Sequence, residues 1–187
     1  SKKLVNYEKA LNLLTKRVNL LKKSKGKELI WILEHPLTFT AGIRSKNEEV
    51  LDKNIEIVKT NRGGKITLHN PGQKIIYFVL NLNKRKKDIR NLVKQIENSI
   101  IEFLENFKIK GRADRNNVGI WVKGKKIAAI GIRVTNWIAY HGCSINISNS
   151  LEPYKKIIPC GLNNSDITSV ANESKVKSVN INQLLKK

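Results

Sequence analysis

Cysteine is scarce in this chain, with Cys143 and Cys160 the only two. They do not stand at metal-ligand spacing, and no second pair exists to complete a zinc site. Counting leaves open a single disulfide between them. No apolar run is long enough to cross a bilayer, and Ser1-Lys2-Lys3-Leu4 carries no signal-peptide pattern. A soluble protein in a reducing cytoplasm is the expectation. Internal repeats, low-complexity tracts and dividing linkers are also missing. The 187 residues therefore read as one domain, 1–187, long enough to bury a core without disulfides or structural metal.

Acidic residues are few as well: 15 Asp and Glu against 36 Lys and Arg give a formal charge of +21. Such a charge raises a nucleic-acid reading, because neutralised phosphates release counterions. The pattern argues against it. The excess is mostly lysine, scattered among asparagine and isoleucine, and no recognition helix, RRM or zinc finger accompanies it. A genome-wide compositional bias gives the same look, and the charge is read as a modifier that can steer acidic protein partners at low salt, not as a function.

Two helices stand out. Asn6 caps the first, with Glu8 in its opening turn and Leu11, Leu14, Val18 and Leu21 at helical spacing until Gly26 ends it. The second starts at Asp88 and carries one apolar stripe from Ile89 through Leu92, Ile96, Ile100 and Phe103 to Phe107. Leu29 to Leu33 reads as a buried strand stopped by His35-Pro36. Ile55 to Thr60 and Ile75 to Leu82 read as strands on either side of Arg62-Gly63-Gly64-Lys65-Ile66-Thr67-Leu68-His69-Asn70-Pro71-Gly72-Gln73, which should form a loop-strand-loop wall. Val118 to Val122 and Lys126 to Val134 should pair as a hairpin through Lys123-Gly124-Lys125, placing Lys126 beside the turn and not deep in the core. Trp137 to Ile147 is a further strand, interrupted by Gly142. Strand-heavy stretches framed by helices argue an α+β fold with a mixed, largely antiparallel sheet.

The chemistry centres on Pro159-Cys160-Gly161, read with Gly124-Lys125-Lys126-Ile127-Ala128-Ala129-Ile130-Gly131. A nearby ammonium stabilises a thiolate, and the thiolate is the form that attacks a carbonyl or thioester. The default for a lone cysteine is a small buried residue, and that is the reading for Cys143. His69 shares a strand face with Thr67, where a satisfied half-buried histidine is the default; the surrounding glycines, together with the family resemblance given below, move it toward a pocket. His35 reads as a turn residue, His141 has no assigned role, Lys123 and Lys125 read as solvated, and Arg133 as structural or partner-facing.

Four blocks resemble the lipoyl(octanoyl) transferase family, also called lipoate-protein ligase B. They are Glu34-His35-Pro36 through Phe39-Thr40-Ala41-Gly42, Arg62 through Gln73, Gly119-Ile120-Trp121-Val122 through Gly131-Ile132-Arg133 to Tyr140-His141-Gly142, and Pro159-Cys160-Gly161 leading to Thr168-Ser169. They follow the family's order over most of the chain. The resemblance implies a biotin/lipoate protein ligase-like fold, Cys160 as the acyl-carrying thiol, and Lys126 as the lysine that lowers its pKa. It also implies substrate contacts from Arg62, Gly63, Gly64, Lys65, Ile66, Thr67, Leu68 and His69, from Ala129, Ile130 and Gly131, and from Gly142, Cys143 and Ser144. Two positions depart from the family pattern: Asn70 replaces a usual glycine and Leu68 a usual aromatic. Asparagine tolerates positive φ, so the turn is expected to survive.

The implied reaction takes an octanoyl group from octanoyl-acyl carrier protein onto Cys160. It then passes to a lysine of lipoyl domains, those of 2-oxoacid dehydrogenase E2 subunits and of the glycine cleavage H protein. No cofactor or metal is required, because a thioester already carries the activation that an amide needs. An apolar tunnel for the acyl chain is expected from Ile66, Leu68 and Ile130. The alternative is an ATP-dependent lipoate or biotin protein ligase of the same fold group, which has no need of the Pro-Cys-Gly block.

Overall fold

The computed structural model describes residues 4–159 and 166–174. A six-stranded sheet in the order β1-β5-β9-β8-β7-β6 forms its centre, built from β1 (Leu29–Leu33), β5 (Gln73–Asn81), β6 (Arg112–Ala113), β7 (Gly119–Val122), β8 (Lys125–Thr135) and β9 (Ile138–Asn146). Every pairing in it is antiparallel. A smaller sheet holds β3 (Ile57–Lys59), β2 (Thr38–Ala41) and β4 (Ile66–His69), with β2 parallel to β3 and antiparallel to β4. With helices α1 (Tyr7–Lys22) and α2 (Ile89–Glu105), this is the expected α+β architecture.

The helices form where their caps and stripes place them. The Asn6 side chain accepts from Lys9 N–H at 3.1 Å, and Asp88 accepts from Asn91 N–H at 2.9 Å. α1 lays Ala10, Leu14, Val18 and Leu21 on Ile75, Val79 and Ile138 of the central sheet. α2 covers the opposite face, where Ile100, Phe103 and Leu104 meet Ile120, Val122, Ile127 and Ile145. The small sheet closes over a third cluster of Phe39, Ile66, Leu68, Tyr154 and Ile157. Among the described residues, no helix is long and apolar enough to cross a membrane.

Several expectations need correcting. α1 ends before Gly26, because Ser24 takes the left-handed conformation (φ 57) and Lys25 N–H closes back on Leu20 O. β1 pairs only with β5, so it is an edge strand, and its Ile30 is 62% exposed. The first block also holds a strand of its own, Thr38–Ala41, beyond the elements its sequence pattern predicts. Trp137 belongs to a turn: with Asn136 it forms a two-residue hairpin loop at φ 57 and 49, like Lys123-Gly124 at 49 and 81. Gly142 does not interrupt β9, which pairs with β5 along its whole length. The irregularity sits one residue earlier, at His141 (φ 68).

Leu104 is fully buried and Leu13 is 39% exposed, so their truncations should differ sharply. Leu104→Ala is expected to cost about 2–5 kcal/mol and Leu13→Ala less than about 0.5 kcal/mol, measured by urea unfolding. Equal losses would show that α2 is not the helix that seals the core.

Candidate active site

A cavity of about 370 Å³ opens between the small sheet and the α1 side of the central sheet. Arg62, Gly63, Gly64, Lys65, Thr67 and His69 form one wall, and Lys126, Ala129, Ile130, Gly131, Gly142, Cys143 and Ser144 the other. The two walls touch through glycine: Gly63 N–H donates to Ile132 O at 3.3 Å, and a Cβ on Gly131 would lie 3.0 Å from Gly63 O. Neither residue can carry a side chain without prising the walls apart.

Strand alternation decides what faces this space. Thr67 and His69 face the cavity, which turns Ile66 (1% exposed) and Leu68 (fully buried) into the small-sheet cluster. Those two therefore cannot line an acyl tunnel with their side chains. Ile130 packs largely against the α2-side core, as does Cys143. The apolar surfaces toward the cavity come instead from Ile75, Ala129, Val118 and the rings of Tyr7 and Tyr77. The two departures from the family pattern also fall outside the cavity. Leu68 is core, and Asn70, buried with its amide donating to Ser150 O at 2.8 Å, needs no positive φ, which falls on Gly72 (φ 88).

Lys126 reaches the cavity through a break in alternation. Trp121 pairs with Lys126 but Ile120 pairs with Ala128, leaving Ile127 as the extra residue of a β-bulge. The bulge puts Lys126 and Ala129 on the same side, where strict alternation would separate them. Lys126 is 5% exposed, deeper than its place beside a turn suggested, whereas Lys125 is exposed. Cys160 and Gly161 lie outside the described residues. Their flanks converge on Lys126: Pro159 lines a small cavity with it, Ile167 bridges it in parallel, and Thr168 N–H donates to Lys126 O at 2.9 Å.

The floor is a buried polar network that sequence reading missed. His35 is fully buried, not a turn residue. Its Nδ1–H donates to Val5 O at 2.6 Å, which leaves Nε2 to accept from Tyr77 OH at 3.0 Å. Tyr7 stacks on His69 with ring centroids 5.5 Å apart, and its hydroxyl joins Tyr77, Thr40 and Arg62. Arg62 donates through Nη2 to Thr40 O (2.8 Å) and Oγ1 (2.9 Å), and through Nη1 to Gly63 O (3.0 Å). The His69 Nδ1–H donates to Gln73 Oε1 at 2.8 Å. The signal for this network was Thr40 in the first block and Tyr7 on the apolar face of α1.

Burial sets the protonation states. It lowers His69 to about 3 and His141 to about 4, and also depresses His35, so all three rings are neutral near pH 7. It raises Tyr7 and Tyr77, keeping both as donors. Burial pushes the Cys143 thiol up to about 12, which makes it inert as a nucleophile. The His141 ring meets Asn61 Oδ1 through Nε2 at 2.7 Å, and Arg133 donates to Asn61 O at 3.1 Å, so Arg133 is a structural tether. Among the described residues no group of His, Cys, Asp or Glu could hold a metal ion.

Residues 6–187 match the family described as the lipoyl protein ligase A/B catalytic domain. The chain belongs to this family. An octanoyltransferase of Wolbachia sp. subsp. Brugia malayi is 43% identical over 175 residues, covering 91% of this chain and 85% of that protein. Among solved structures, lipoate-protein ligase A bound with ATP superposes with a TM-score of 0.72 at 14% identity, over 92% of this chain and 74% of that one. A bipartite lipoate protein ligase from Thermoplasma acidophilum, described with its E2 lipoyl domain, gives 0.67 at 15% identity over 91% and 75%. These structures establish the lipoate-ligase fold, and the curated relative places the chain among the octanoyltransferases. It is an enzyme, an acyltransferase, and the reaction its curated relatives share is octanoyl transfer.

The depressed histidines predict a pH effect of definite sign. Between about pH 6.5 and the folded values, the unfolded chain binds more protons than the folded one, so stability falls as pH is lowered through that window. Urea unfolding at pH 7 and pH 5 should show the loss, and His69→Gln should reduce the difference between them. An unchanged difference would mean that His69 is not held neutral by the fold.

Proposed function

We propose that this chain, acting as one catalytic domain, transfers an octanoyl group from acyl carrier protein to a lysine of a lipoyl domain through a thioester on Cys160. The observation that carries the reading is the convergence on Lys126 of both described flanks of Cys160, Pro159 and Ile167, beside the cavity. The acceptor class is supported by the Thermoplasma ligase described with its E2 lipoyl domain. The donor is supported by the chain's charge of +21, with Arg44 and Arg115 at the cavity and both exposed, which suits an acidic carrier bearing a phosphorylated arm. A free reactive thiol fits a reducing compartment such as the cytoplasm.

In the proposed sequence the Cys160 thiolate, stabilised by the Lys126 ammonium, attacks the donor thioester carbonyl. The tetrahedral intermediate collapses by breaking the bond to the carrier sulfur, which leaves as a thiol by taking a proton from Lys126. The neutral ε-amine of the acceptor lysine then attacks the Cys160 thioester. The amide forms, Cys160 leaves as thiolate, and the amine's proton returns to Lys126, restoring the starting pair. Charge and protons balance over the cycle. Going from thioester to amide is downhill, so the cycle needs no nucleotide. With the histidines neutral, Lys65 paired with Glu49 at 3.0 Å, and Arg62 bound to Thr40 and Gly63 and staying protonated, Lys126 is the described cavity amine suited to this shuttle.

Incubation with octanoyl carrier protein and no acceptor should add one octanoyl mass to Cys160, removable by hydroxylamine, without ATP or divalent metal. Transfer at the wild-type rate by Cys160→Ser would sink the assignment, and a strict ATP requirement would move the function to the ligase alternative. Lys126→Ala should lower transfer by about 100-fold or more, the range of a lost proton shuttle. Lys125→Ala, altering an exposed side chain, should stay near wild type.

A further inference from the structure

Lys126 is a long side chain with four rotatable bonds, and a charge that must sit beside a thiolate needs something to fix it. Its Nζ lies over the indole ring of Trp121, 5.4 Å from the ring centroid. The two residues are direct cross-strand partners at the β-bulge, and both are buried. Trp121 is itself held: its Nε1–H donates to Asn117 O at 3.0 Å. That loop is pinned in turn by the Asp114 carboxylate, which accepts from Asn116 N–H at 2.7 Å and Asn117 N–H at 3.1 Å. On the same strand as Trp121, Gly119 lies under the lysine stem. A Cβ there would stand 2.5 Å from Ala128 O, 2.6 Å from Lys126 Cε and 3.2 Å from Nζ, in a backbone at φ 141.

We propose that Trp121 is a positioning residue for the Lys126 ammonium. The assignment rests on the catalytic role given to Lys126 above. An aromatic face holds a cation through its quadrupole and brings no net negative charge. A carboxylate in the same place would neutralise the ammonium and weaken its hold on the thiolate. The charged groups of the neighbouring loop fit this division. Asp114 is occupied by the two backbone N–H groups that pin the loop and feels Lys126 and Arg112 only as smaller influences.

The test is steady-state transfer from octanoyl carrier protein to a lipoyl domain by Trp121→Phe and Trp121→Leu, each with and without Lys126→Ala. Trp121→Leu should lower kcat about tenfold with the donor KM unchanged, as expected for loss of a desolvated cation–π contact. Trp121→Phe, which keeps an aromatic face, should recover most of the rate. In the Lys126→Ala background the leucine substitution should add nothing. A direct readout accompanies the kinetics: in protein labelled with ¹³C at lysine Cε, one methylene signal should be displaced upfield by the indole ring. That signal should vanish in Lys126→Arg and in Trp121→Leu. The proposal is overturned if Trp121→Leu keeps the wild-type kcat while Lys126→Ala loses it, which leaves the catalytic reading standing. It is equally overturned if Trp121→Leu costs the same in both backgrounds, because Trp121 would then be packing alone. Wild-type transfer by Lys126→Ala sinks the catalytic reading itself, and the labelled methylene then reports separately whether the lysine lies on the ring.

Discussion

A buried guanidinium governs this molecule. Arg62 is 8% exposed, and a cation cannot be taken out of water unless its donors are met. Thr40 accepts from Nη2 with both its carbonyl and its hydroxyl, and Gly63 accepts from Nη1 with its carbonyl. Those bonds fasten the strand β2 to the loop that leads into β4, and that loop rests on Ile132 of the central sheet. Tyr7, from α1, and Tyr77, from β5, complete the surroundings of the same charge. One side chain therefore joins a helix and two sheets, and the cavity is the space left between them. The same positive field helps keep His69 and His141 neutral, so fold and protonation state have a common origin.

Much of the frame was legible because it depends on local chemistry. The caps at Asn6 and Asp88, the stripe of α2 and the Lys123-Gly124 turn are each written in a few adjacent residues. The errors arose where a residue's partner is remote. Edge or centre cannot be read from Leu29 to Leu33, because exposure of Ile30 depends on which strands lie beside it. His35 precedes a proline and looked like punctuation, yet Val5 and Tyr77, distant in sequence, make it a buried junction. Asn136 and Trp137 form a tight turn without glycine, held from outside: Leu82 N–H and the Asn83 side chain donate to their carbonyls.

The cavity followed the same rule. Block composition pointed to its two walls, but not to which side chains turn inward. Ile66 and Leu68 have the chemistry of a lipid tunnel and the wrong parity for it. Lys126 has the parity of Ala128 and Ile130, which pack toward α2, and is brought onto the cavity side by one inserted residue, Ile127. Neither fact is visible in a motif. The first follows from the register of β4 on β2, the second from that of β7 on β8.

The sheet order also has a consequence for how the molecule assembles. β7, β8 and β9 are a meander joined by two-residue turns, and its pairings are close along the chain. β5 must then find β9 across the whole intervening stretch that contains α2 and the meander's first strands. Non-local pairing of that kind is slow, because loop-closure entropy is lost before the contact returns anything. The wall carrying Lys126 lies in the locally paired meander, and the loop carrying Arg62 meets it through a non-local contact, Gly63 N–H to Ile132 O. Closing the cavity therefore requires non-local contacts that the meander alone does not supply.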